Sequence, residues 1–127
     1  MASDGSIITI LVVEDEPLPR MDLAEQLIAA GYEVCEASSG EEALAHLQNG
    51  QRIDVLITDI QLGGRVTGWD LAEKFRAAHA RIPVVYTSGK PPDHDRKVSG
   101  SVFFSKPVRA IDVVRTCRSF GGAVPDR

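Results

Sequence analysis

Val55-Leu56-Ile57-Thr58-Asp59 is a short apolar run that ends on a carboxylate. Apolar and β-branched residues in unbroken succession suit a parallel strand covered on both faces. An acid at the end of such a strand lies at the carboxyl edge of the sheet, where open α/β folds place their ligand sites. Four other stretches share the character of this run. Residues 7–13 are apolar apart from Thr9 and lead into Glu14-Asp15-Glu16, and residues 33–37 alternate weakly. Residues 82–87, with Pro83 near the start where a strand tolerates it, lead to Ser88-Gly89. Val102-Phe103-Phe104 leads to Lys106-Pro107.

Helical signals separate these runs. Pro17 and Pro19 fit the first turn of a helix, Met21, Ala24, Leu27 and Ile28 recur on one face, and Gly31 is a natural stop. Ser39-Gly40-Glu41-Glu42 offers a capping box in which Glu42 reaches back to Ser39, ahead of Ala43, Leu44 and Leu47 and a stop at Asn49-Gly50. Thr67 with Asp70 caps a third helix carrying Leu71, Ala72, Phe75 and Ala78. Residues 108–120 read as the last helix, with Ala110, Val113, Val114 and Cys117 inward and Gly121-Gly122 at its end. Residues 90–100 hold hardly any apolar side chain, so a helix there is expected to be short or irregular. The Gly63-Gly64 pair between strand 3 and helix 3 implies unusual backbone angles or close approach.

Five strands alternating with helices predict an α/β fold, a doubly wound five-stranded parallel sheet. Right-handed crossovers leave few orders, and the flavodoxin-like order 2-1-3-4-5 sets the ends of strands 1 and 3 side by side at the switch point. The expected division is a disordered N-terminal tail over 1–6, one domain over 7–121 and a C-terminal tail over 122–127. A chain of 127 residues suits one domain with its own core. A net charge of -4 gives no basic footprint for nucleic acid or anionic membrane. Cys35 and Cys117 show no metal-ligand spacing and read as separate packing residues. With no apolar stretch of spanning length and no signal-peptide pattern, a cytoplasmic protein is expected.

In that sheet order Glu14, Asp15 and Asp59 meet at one edge. Three carboxylates together repel one another unless a proton is shared or a cation bound. Donors that are all oxygen suit a hard ion, Mg2+ above all, and the backbone carbonyl of Gln61 is a candidate further ligand. Taken alone, Glu14-Asp15-Glu16 reads equally well as an acidic cluster at a helix N-terminus. Strand 4, however, ends at Ser88, a hydroxyl donor, and strand 5 leads to Lys106, a point charge. Phosphoryl transfer asks little more of a protein than positioning, a metal and donors around the transferred group. Ser88 alone is a turn residue and Lys106 alone a surface charge. In this order at successive strand ends, they point to Asp59 as a nucleophile that accepts a phosphoryl group.

Val12-Val13-Glu14-Asp15-Glu16, Ile57-Thr58-Asp59-Ile60, Val84-Val85-Tyr86-Thr87-Ser88-Gly89 and Phe104-Ser105-Lys106-Pro107 together resemble the four signatures of the response-regulator receiver domain of two-component signalling. The resemblance runs from about residue 7 to residue 120. It implies that Asp59 takes phosphate from a histidine kinase or a phosphotransfer protein and that Glu14 and Asp15 hold Mg2+. It further implies that Ser88 is the switch hydroxyl, Lys106 the phosphate-sensing lysine, Phe103 the switch aromatic, and Lys106-Pro107 a cis bond. Gln61 and Lys90 then lie beside the phosphate as candidates for tuning its lifetime. The loop after Asp59 is one residue longer than the family pattern, and the stretch from Ser88 to Lys106 is short for it. A stand-alone receiver is expected, catalysing its own phosphorylation and dephosphorylation but not otherwise an enzyme. Its output passes through a downstream protein partner, a homodimer or onward phosphotransfer. A receiver excised from a hybrid kinase or a longer regulator fits the same residues. A flavodoxin-like electron carrier shares the sheet order but wants a phosphate-cradling loop where Glu14-Asp15-Glu16 stand. A Mg2+-dependent phosphohydrolase commonly wants a second acid where Gln61 stands.

Overall fold

The computed structural model describes residues 7–90 and 96–121. Along the chain the elements are β1 (Thr9–Val13), α1 (Pro17–Ala29), β2 (Glu33–Ala37), α2 (Gly40–Gln48), β3 (Val55–Asp59), α3 (Gly68–Ala78), β4 (Val84–Ser88), β5 (Val102–Ser105) and α4 (Ala110–Gly121). The five strands form one sheet in the order β2-β1-β3-β4-β5, with every neighbouring pair parallel. This is the doubly wound order expected from the sequence.

Alternation along each strand divides the core into two layers. Leu11, Val13, Leu56, Val84 and Tyr86 pack with Ala43 of α2 and with Leu71 and Phe75 of α3. Ile10, Val12, Val55, Ile57 and Val85 pack on the other face with Leu27 of α1 and with Val113, Val114 and Cys117 of α4. Because helices cover both faces, β1, β3 and β4 are buried throughout, which is why their sequences read as runs rather than alternations.

Several boundaries and faces differ from expectation. β1 begins at Thr9, leaving Ile7 exposed, and β4 begins at Val84 and continues to Ser88. The last helix starts at Ala110, two residues later than its apolar pattern suggests. On α1 the inward residues are Ala24 and Leu27, with Leu23 packed beside them, while Met21 and Ile28 face solvent. Its apolar residues are spread over two faces, so periodicity alone did not single out the buried one. Ala78, at the last position of α3, is also exposed. The α3 capping box forms as expected: Asp70 N–H donates to Thr67 Oγ1 at 3.1 Å and Thr67 N–H to Asp70 Oδ2 at 3.0 Å. The α2 cap is different, because Glu42 N–H donates to Ser39 Oγ at 3.0 Å while the Glu42 carboxylate accepts from the amide and hydroxyl of Ser38. Cys117 is buried and Cys35 half-buried, both as free thiols.

The expected weak helix after β4 falls in part on residues 91–95, which lie outside the described residues, as do the tails 1–6 and 122–127. Residues 96–101 are described and form no α-helix. They are tied down by Val98 N–H, which donates to the Tyr86 hydroxyl at 3.1 Å, and by Arg96, which pairs with Asp70 and Glu73 of α3 at 2.8 Å each. Among the described residues no helix is long and apolar enough to cross a membrane.

Candidate functional site

The carboxyl ends of β1, β3, β4 and β5 converge because the ladders extend past the strands. Glu14 N–H donates to Ala37 O at 3.1 Å, Ile60 N–H to Thr87 O at 2.9 Å and Lys106 N–H to Ser88 O at 2.8 Å. Asp59 is therefore held at the mouth of β3 opposite Thr87, one step beyond the pairing of Val13 with Thr58. Glu14, Asp59 and Ser88 are all buried there.

Lys106 reaches across this edge from the far side of the sheet. Its Nζ donates to Asp59 Oδ2 and to Glu14 Oε1, each at 2.8 Å. Asp59 Oδ1 accepts from Gln61 N–H at 3.3 Å, and Glu14 Oε2 accepts from Glu16 N–H at 3.0 Å. Asp15 is exposed, yet Glu14, Asp15 and Asp59 each offer one oxygen within 4.8 Å of the others. Three carboxylates thus face one ammonium. Burial pushes the Glu14 carboxyl above the usual carboxylate range, outweighing its bonds to Lys106 and Glu16, and the charge of Asp59 adds to the rise. Burial alone would depress Lys106, but its hydrogen bonds to Asp59 and Glu14 outweigh that and hold it above its ordinary value. A site with oxygen-only donors and surplus negative charge fits Mg2+.

Ser88 sits at the opposite side of Asp59. Its Oγ donates to Gln61 Oε1 at 2.9 Å and accepts from Lys90 N–H at 3.1 Å. Phe103 is half-buried on β5, beside Tyr86 in the register and away from the carboxylates. The Lys106-Pro107 bond is cis. A cavity of about 510 Å³ opens beside the cluster, lined by Val12, Glu14, Leu23, Lys106, Pro107 and Val108 among others.

Gly40, Glu41 and Gly68 shape the loop after Asp59, a role the sequence did not show for them. Glu41 of α2 accepts from Arg65 N–H at 3.0 Å, and a methyl on Gly40 would fall 2.6 Å from the Val66 side chain, so the loop docks tightly on the start of α2. A methyl on Gly68 would fall 2.3 Å from the carbonyl oxygen of Asp59 itself. The sequence did carry a signal for Gly68, since a glycine directly after a helix cap gives up helix propensity and so points to close approach. Tyr86 was likewise passed over as a core residue, although its ring packs on Trp69 with centroids 4.8 Å apart.

Comparisons with known proteins bear on the family and the fold. The family model described as the response regulator receiver domain matches residues 10–116. The chain is 30% identical over 121 residues to the probable transcriptional regulatory protein TcrX of Mycobacterium tuberculosis, covering 92% of this chain and 51% of that protein. It is 38% identical over 77 residues to the sensor protein EvgS of Escherichia coli O157:H7, covering 61% of this chain and 6% of the sensor. The chain thus spans about half the length of the first relative and a small part of the second. Among solved structures, a response regulator receiver protein from Sinorhizobium medicae aligns with a TM-score of 0.88 at 29% identity, covering 93% of this chain and 97% of that one. The receiver domain of the hybrid histidine kinase CckA aligns with a TM-score of 0.75 at 35% identity, covering 87% and 96%.

Proposed function

Since the chain belongs to the response regulator receiver domain family of two-component systems, we propose that Asp59 is its phosphoacceptor, phosphorylated with Mg2+ by a histidine kinase or a histidine phosphotransfer protein. The observation that carries this reading is the bridging of Asp59 and Glu14 by Lys106 at 2.8 Å each, at the edge where four strand ends meet.

In the transfer, a carboxylate oxygen of Asp59 forms a bond to phosphorus as the bond to the donor's imidazole nitrogen breaks, and the imidazole keeps the electron pair. Lys106 supplies a fixed positive charge beside the attacking carboxylate and the incoming phosphoryl oxygens. Glu14, Asp15, Asp59 and the carbonyl of Gln61 would hold Mg2+, which when bound neutralises charge on the phosphoryl group. Once phosphate is on Asp59, Ser88 donates to a phosphoryl oxygen, and the differential contacts of Ser88 and Lys106 shift the chain toward a second conformation. Phe103 on β5, next to Tyr86, would relay that shift. Burial of Asp59 restricts water and so protects the acyl phosphate.

A phosphodonor protein would dock over the start of α1, which follows Glu14-Asp15-Glu16 directly and where Leu18 is 78% exposed and Met21 is exposed as well. Downstream, the switched face would engage a protein partner or a second copy of the chain. A receiver excised from a longer kinase or regulator would use the same chemistry.

Incubation with Mg2+ and acetyl phosphate tests the reading. The expected product is one acid-stable, base-labile phosphoryl adduct, absent from Asp59→Asn. Absence of any adduct in the wild-type chain with both acetyl phosphate and a phosphohistidine donor would overturn it, and sustained turnover of a generic phosphate ester would favour a phosphohydrolase instead.

A further inference from the structure

Ser88 is not free to meet a phosphoryl group. Its Oγ already accepts from Lys90 N–H at 3.1 Å, so the hydroxyl's single proton goes to Gln61 Oε1, 2.9 Å away. Gln61 is also bound to the phosphoacceptor, its own N–H donating to Asp59 Oδ1 at 3.3 Å. One residue therefore clasps both groups that the phosphoryl must bring together. The Ser88 side of the clasp is buried, whereas Gln61 is exposed and sits on the loop that Glu41 ties to α2.

Resting on the phosphoacceptor reading above, we propose that the Gln61 side chain is a latch that holds the Ser88 hydroxyl in the unphosphorylated conformation and so opposes switching. A hydroxyl has one proton to donate. When Ser88 turns that proton toward a phosphoryl oxygen, the bond to Gln61 Oε1 is lost, and the switched state forgoes whatever that bond contributed. Only an interaction that differs between the two states moves their balance, and this one is made in the resting state alone. A part-buried neutral hydrogen bond sets the size of the effect at about three- to tenfold. Lys90 contributes through its backbone N–H, so its side chain is not part of the latch.

Beryllofluoride with Mg2+, a mimic of the phosphoryl group, tests the proposal without turnover. The wild type, Gln61→Met, which keeps side-chain length but removes the acceptor, Ser88→Ala and the double variant are titrated, with Trp69 fluorescence and backbone amide spectra as readouts. The expected result is binding about three- to tenfold tighter in Gln61→Met than in wild type, and no difference between Ser88→Ala and the double variant. In the free protein, the Ser88 and Lys90 signals should shift in Gln61→Met while those of the β1 and β2 strands stay in place. Equal affinity of wild type and Gln61→Met, or the same gain in the Ser88→Ala background, would overturn the latch while leaving the phosphoacceptor reading intact. A wild type that binds no beryllofluoride at all would overturn both, and an unaltered Ser88 signal in Gln61→Met would overturn the latch by itself.

Discussion

Gly68→Ala is the substitution that most sharply links the stability of this chain to its chemistry. The added methyl would lie 2.3 Å from the Asp59 carbonyl oxygen, 2.8 Å from Ile60 Cα and 3.0 Å from the Asp59 carbonyl carbon. All three are backbone atoms, so no side chain can swing aside. The start of α3 or the end of β3 must move by roughly 0.7 Å or more to bring the closest contact to a tolerable distance. The Gly68 N–H bond to Ile60 O, at 2.9 Å, would be stretched by the same movement. Overpacking of this kind costs about 1–3 kcal/mol, against a gain in helix propensity of at most about 1 kcal/mol. For a domain of this size the melting temperature should fall by roughly 5–10 °C. Since the displaced backbone carries Asp59, the proposed phosphoacceptor, phosphorylation by acetyl phosphate should slow as well, by up to about 100-fold for a shift near 1 Å. Gly64→Ala is the control. Its methyl meets the end of the Glu41 side chain at 2.7 Å, which can turn away at the expense of an exposed bond to Arg65, so the loss should stay within about 1 kcal/mol. Urea titration and the time course of adduct formation measure both effects. A Gly68→Ala protein with wild-type midpoint and wild-type labelling rate would refute the reasoning.

Other expectations follow from single contacts. Thr67→Ala removes the oxygen that caps α3 and should cost about 1 kcal/mol in urea unfolding, and an unchanged midpoint would show the cap to be idle. Burial pushes the Cys117 thiol up to about 12, so in the native chain a thiol reagent at neutral pH should modify the half-buried Cys35 first and reach Cys117 only on unfolding. Equal rates in the folded protein would contradict this. The Glu14 carboxyl lies above its unfolded value, so the folded chain holds that proton more tightly. Stability from this source is present at acidic pH and is lost as pH rises through the unfolded value toward the native one. Without Mg2+, Glu14→Gln should therefore be the more stable form at neutral pH and lose its advantage in acid, as urea midpoints across that range would show.

The strands were legible because the sheet is covered on both faces, which turns each central strand into an apolar run whose end is easy to see. That is also why Glu14, Asp59 and Ser88 could be placed from the sequence, each at or just past the end of such a run, whereas Lys106 follows the short, half-buried edge strand β5. The outward face of α1 was not legible, since Leu18, Met21 and Ile28 are apolar yet exposed, and helical spacing alone does not distinguish a buried stripe from an exposed one. Nor was the docking of the loop on α2. Glu41 carried no signal of its own beside the capping residue Glu42, yet its carboxylate serves Arg65 of the later loop. Long-range contacts of this kind leave no periodic trace. The bond between Ser88 and Gln61, 27 positions apart, is of the same sort: sequence placed both residues near the phosphate but gave no sign for what they do to each other.

Reduction of the phosphorylated chain with borohydride tests the central claim most directly, since it converts an aspartyl phosphate to homoserine and marks its position. After incubation with Mg2+ and acetyl phosphate, peptide mapping should find homoserine at position 59 and nowhere else. Homoserine at another acid such as Asp15, or phosphate incorporation that leaves Asp59 unreduced, would contradict the account.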